Sequence, residues 1–88
     1  MKTYLAVDIG ASSGRHILGW LEDGKLKLKE IYRFKNGAED QNGHLCWDID
    51  RLESEVIDGI AACETAPESV AVDTWAVDYV LPVSYTHL

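Results

Sequence analysis

Cross-linking chemistry is nearly absent from this chain of 88 residues. It has two cysteines, Cys46 and Cys63, without metal-ligand spacing and without a partner pair of histidines. Both are expected to be reduced thiols packed like small hydrophobes. Proline is as scarce, at Pro67 and Pro82 alone, and no repeat, low-complexity tract or interdomain linker is visible. No apolar run approaches the length of a membrane span, and the start Met1-Lys2-Thr3-Tyr4 lacks the basic-then-apolar layout of an export signal. The expectation is a cytoplasmic protein with no membrane partner. Basic residues are also few: eight Lys and Arg face fifteen Asp and Glu, for a net charge of −7. That balance repels nucleic acid and anionic lipid over most of the surface, so no nucleic-acid partner is expected. It does not exclude a nucleotide, because a local turn of amides with one arginine can offset charge that the global sum hides.

What is present argues for a folded chain. The hydrophobic content is 47%, spread over Trp, Tyr, Val, Ile and Leu. A chain this short buries only about 60 to 70% of its unfolded surface, which makes it one small domain or a piece of a larger one. Residues 3–9 read as a buried first strand, residues 10–14 as a turn, and residues 15–22 as a second strand. Asp23-Gly24 is a two-residue hairpin signal, and residues 25–34 form the returning arm, with a slip in the period of two near Glu30 and Ile31. Residues 36–43 are polar and glycine-punctuated and are expected to be a surface loop. Asp48 or Asp50 can cap the helix that follows, and Asp50 with Glu53 has capping-box spacing. Ile49, Leu52, Val56, Ile60 and Cys63 mark its apolar face, with Glu53, Glu55, Asp58 and Glu64 on the solvated side. Residues 69–75 read as a last strand that again runs into a carboxylate, Asp73.

The chemistry concentrates in Asp8-Ile9-Gly10-Ala11-Ser12-Ser13-Gly14-Arg15. A carboxylate ending an apolar strand is followed by two glycines bracketing small and hydroxyl residues, so a tight turn can bring amide and hydroxyl donors close to an anion. Asp8 would repel phosphate, and its functional reading is to orient Mg2+ or its waters beside a nucleotide. The plain alternative is a β-hairpin turn with an acid at its mouth.

Four stretches carry a family resemblance: residues 6–15; Arg33-Phe34-Lys35-Asn36-Gly37; Gln41-Asn42-Gly43 with Trp47-Asp48-Ile49-Asp50; and Val72-Asp73-Thr74-Trp75-Ala76-Val77-Asp78-Tyr79. Together they resemble the start of the FGGY carbohydrate kinases, over residues 4 to 81. The resemblance implies an α/β fold of ribonuclease H-like type, shared with actin and Hsp70-type chaperones: an incomplete N-terminal subdomain with a mixed sheet in β-β-β-α-β order. It also implies transfer of the γ-phosphate of ATP, with Mg2+, to the 1-hydroxyl of L-rhamnulose. Ala11, Ser12, Ser13, Gly14 and Arg15 would form the ATP-contacting turn, with Asp8 beside metal and phosphates. Ala76 falls at a sugar-contacting position where the family usually has Gly, and its neighbours Asp73, Trp75 and Asp78 could add hydroxyl acceptors and an apolar wall. Each of those three also has a structural reading, as strand-edge acid, core indole and solvated acid. Residues 1–81 would be the family domain, and residues 82–88 depart from the family and are expected to be a foreign tail. The general base and the adenosine site would lie beyond residue 88, so the rest of the kinase chain would be required and the fragment alone would be inactive. Two alternatives stay open: a xylulose or glycerol kinase of the same group, and a non-enzymatic actin-like ATP-binding module.

Overall fold

The computed structural model describes residues 2–41 and 43–76. Its frame is a mixed four-stranded sheet in the order β3-β2-β1-β6, with one helix on one face. β1 (Thr3–Ile9) alternates in burial, with Thr3, Leu5, Val7 and Ile9 inward. That pattern follows from a β-branched and apolar run with period two. β2 (Ser13–Glu22) returns antiparallel, and β3 (Lys25–Lys35) runs antiparallel to β2. The turn between β2 and β3 is made by Asp23 and Gly24, with φ of 52° and 76°, the left-handed pair that a type I′ hairpin requires. β6 (Ser69–Asp73) lies parallel to β1, starting where the Glu68 N–H donates to the Thr3 carbonyl at 2.7 Å.

The expected slip is a β-bulge. His16 faces Tyr32 and Ile17 faces Glu30, so Ile31 has no opposite residue. The consequence is a change of side along β3. Tyr32 and Phe34 share the helix side with His16 and Gly14, while Leu26, Leu28 and Glu30 share the other side with Leu21, Gly19 and Ile17. Leu21, Leu26 and Leu28 are exposed there.

Two elements correct the sequence reading. The polar stretch expected to be a loop holds a short strand, β4 (Glu39–Gln41), which pairs as a small hairpin with β5 (His44–Cys46) just beyond it, with Gly43 at φ 82°. Helix α1 (Ile49–Ala61) is capped by Asp48, whose carboxylate accepts from the Arg51 N–H at 3.0 Å. The Asp50 and Glu53 spacing is therefore not a capping box, because Arg51 occupies the position from which a glutamate would reach back.

The core is small: Leu5, Val7, Ile9 and Phe34, flanked by Leu18, Ile31, Tyr32, Leu52, Val56, Ile60, Cys63 and Trp75. Ile49 lies outside it, half exposed at the start of the helix. Glu55 departs from the expected solvated face. Its side chain is 18% exposed and accepts a hydrogen bond from Tyr32 Oη at 2.8 Å, which ties α1 to β3. Arg51 adds a second tie, donating to the Lys35 carbonyl. His16 is fully buried at the helix–sheet contact, with Nε2 donating to the Val56 carbonyl at 3.0 Å and its ring edge-on to Tyr32 at 5.3 Å.

Candidate phosphate-binding site

The side chains of β1 that face away from the helix end in Asp8, at the carboxyl end of the strand. Cross-strand register places Asp8 directly beside Asp73 of β6 and opposite Arg15 of β2, which is opposite Arg33 of β3. Residues directly opposite in a sheet share a face. Four charges therefore form one rung across four strands, in the order Asp73, Asp8, Arg15, Arg33. The guanidinium of Arg15 meets Asp8 through Nε and Oδ2 at 3.3 Å, with both side chains about half exposed. Asp8 is thus accessible and partnered, unlike the buried carboxylate that its place in an apolar strand implies.

Just beyond the rung, Gly10 to Ser13 turn the chain from β1 into β2. The Gly10 N–H donates to the Ser13 carbonyl at 2.8 Å and closes a turn whose tip is Ala11 and Ser12, both exposed. The turn is held from β3 by Asn36. Its backbone N–H donates to the Ser12 carbonyl at 3.0 Å, and its side-chain amide donates to the Gly10 carbonyl at 2.9 Å. Turn carbonyls are thereby occupied on one side, which fixes the loop that would have to present its amides to a ligand. An open pocket of about 180 Å³ lies here, lined by Asp8, Gly10, Ser13, Arg15 and Arg33. Asn36 and Arg33 carry structural weight at the site that their positions in the sequence motif did not specify. The signal was Asn36 at the end of a β-prone arm, where a polar amide has a turn to bridge.

Gly14 serves a different need from its neighbours. It is buried, and a Cβ there would lie 2.1 Å from the Phe34 ring. Its lack of a side chain is used on the helix side of the sheet, by packing, so any contact it makes with phosphate would be through its backbone.

The residues expected near a sugar are only partly gathered. Asp73 is exposed and adjoins Asp8. Trp75 packs against the core and lies against Trp47 with ring centroids 4.4 Å apart and planes tilted by 41°. Ala76 is exposed, and Asp78 lies outside the described residues, as do residues 82–88. Among the described residues no group of three or more His, Cys, Asp or Glu side chains could hold a metal ion, and no helix is long and apolar enough to cross a membrane.

No family model matches the chain. It is 57% identical over 84 residues to a rhamnulokinase of Ligilactobacillus salivarius, covering 92% of this chain and 17% of that protein. A rhamnulokinase of Oceanobacillus iheyensis is 54% identical over 80 residues, covering 88% of this chain and 17% of that protein. One of Bacillus subtilis is 48% identical over 81 residues, covering 89% and 17%. The chain therefore spans about 17% of the length of the relatives it matches. At 48 to 57% identity, the chain matches rhamnulokinases, which are carbohydrate kinases, over about nine tenths of its own length.

Proposed function

We propose that this chain supplies the phosphate-binding part of a kinase that moves the γ-phosphate of ATP to the 1-hydroxyl of L-rhamnulose. The observation that carries the reading is the charged rung beside an Asn36-braced turn, at the carboxyl ends of β1 and β6. Ligands of α/β sheets bind in that position. The sheet order, with β6 parallel to β1 after an intervening helix, supports a ribonuclease H-like fold.

In this reading the exposed tip, Ala11 and Ser12, and Ser13 present amides and hydroxyls to phosphate oxygens, with the backbone of Gly14 beside them. Arg15 stabilises charge on the transferring phosphoryl group. A nucleotide-bound Mg2+ takes only one or two carboxylates from a protein, and Asp8 with Asp73 alongside fits that need without a three-ligand cluster. Bound there, the ion would offset polyphosphate charge. Asp8 is then the residue whose charge is used, and Arg15 holds it in place before the ligand arrives. Ala76, Asp73, Trp75 and Asp78 remain the candidates for sugar contact. The general base belongs to the part of the kinase outside this chain.

The test is Asp8→Asn in the full-length enzyme that carries this segment. The rate of phosphoryl transfer should fall by about a hundredfold or more, as when a positioned charge is lost. The circular dichroism spectrum should be unchanged, because Asp8 is half exposed. Turnover close to the parent enzyme's would remove Asp8 from the mechanism.

A further inference from the structure

Arg33 stands directly opposite Arg15 in the β2–β3 register and lines the same pocket as Asp8, Gly10 and Ser13. Two like charges facing each other across a sheet repel. Each is met by an acid of its own: Asp8 for Arg15 at 3.3 Å, and Glu30 for Arg33 at 2.7 Å through Nε and Oε1. That second pair spans three residues of one strand, and the Arg33 side chain is 56% exposed. A surface pair of this kind contributes little stability, so fold energetics do not explain placing a second guanidinium here.

The backbone goes out of its way to put Arg33 at the pocket. Lys25, Lys27 and Lys29 share its odd parity and would line up with it on a regular strand. The bulge at Ile31 leaves Lys27 and Lys29 opposite Trp20 and Leu18 on the helix side, while Arg33 is brought opposite Arg15 on the pocket side. Asn36, three residues on, then fixes this end of β3 to the turn through two hydrogen bonds. Arg33 is thus held at a set distance from the phosphate-facing loop.

We propose that Arg33 is a second ligand for the nucleotide polyphosphate, with Glu30 as its resting counter-ion that is exchanged for phosphate when the nucleotide enters. The proposal rests on the nucleotide-binding reading of the turn. A guanidinium offers five donors in a planar fork, of which the Glu30 contact uses Nε, and phosphate is the fork's natural bidentate partner. Arg15 and Arg33 would then flank the polyphosphate from neighbouring strands.

The experiment is calorimetric titration of the full-length enzyme with ATP, adenosine and L-rhamnulose, for the parent, Arg33→Gln and Glu30→Gln. Arg33→Gln should weaken ATP by about tenfold or more and leave adenosine and the sugar within about twofold. Glu30→Gln should tighten ATP severalfold by freeing the guanidinium, a change of sign that no folding defect produces. ATP affinity within about twofold of the parent in Arg33→Gln overturns the assignment, as does an equal loss for ATP and adenosine. If the parent itself binds no ATP, the nucleotide reading of the site falls along with it.

Discussion

Gly59 and His16 meet closely where the helix crosses the sheet, as do Gly14 and Phe34 within it. A Cβ on Gly59 would lie 2.1 Å from His16 Nε2, and His16 has no exposed surface through which to swing aside. In an exposed helix Gly→Ala gains about 1 kcal/mol. Here overpacking a filled contact costs about 1 to 3 kcal/mol, so Gly59→Ala should be net destabilising in chemical denaturation. Gly14→Ala should behave likewise against Phe34, and Phe34→Leu should recover part of the loss in the double variant, which a phosphate-only role for Gly14 would not produce. Neither partner was visible in the sequence. A glycine needed for a turn and one needed for a ring packed against it look the same until the strand register is known. Asp8 and Arg15 were legible because the motif places them at fixed offsets from the turn. Their pairing with each other follows from the register, and so does the alignment with Asp73 and Arg33.

Among the elements, α1 is attached to the sheet by polar ties as much as by its apolar stripe. The hydrogen bond to Glu55, helped by partial burial, raises the Tyr32 phenol above its usual 10.0. A pKa raised on folding stabilises the native state below the unfolded value, and that contribution is lost as pH climbs through the folded value. Stability should therefore decline above pH 10.0, and Tyr32→Phe should flatten that alkaline decline when melting temperature is followed against pH. Asp48→Ala should cost about 1 kcal/mol by removing the cap on the Arg51 N–H. Strands, hairpin turn, bulge and helix were all legible from periodicity, because β-branched alternation and the i, i+3, i+4 stripe are local signals. The β4–β5 hairpin was not, since its strands are three residues each and one of them, Glu-Asp-Gln, has no β-prone residue. Glu55 was misplaced for a related reason: a charged residue beside the stripe goes to solvent by default unless a partner such as Tyr32 arrives from another element.

For the whole molecule, the balance of covered and uncovered surface decides behaviour. Every residue of β6 is exposed, although Val70 and Val72 share the helix side with Leu5 and Val7. Among the described residues, four buried hydrophobics form the core. The 88-residue chain studied alone should give a broad thermal transition and self-associate in light scattering, since an open strand edge beside apolar surface invites pairing. It should show no turnover with ATP and L-rhamnulose, and nucleotide affinity no better than about millimolar. Saturable phosphorylation by this chain would overturn the placement of the general base elsewhere. The one unpaired residue of the β2–β3 ribbon has a last consequence. Ile31 works as a half-turn coupling between two lengths of strand that serve different neighbours. A single-residue deletion at that point would leave every cross-strand pair standing, with Glu30 then next to Tyr32 and still opposite Ile17. It would take out the kink and extra twist of the bulge without moving the three lysines, Leu26 or Leu28 to the other side. β3 can therefore lose a residue at Ile31 and keep its register, whereas loss of one between the tip and Lys29 would turn part of the strand over.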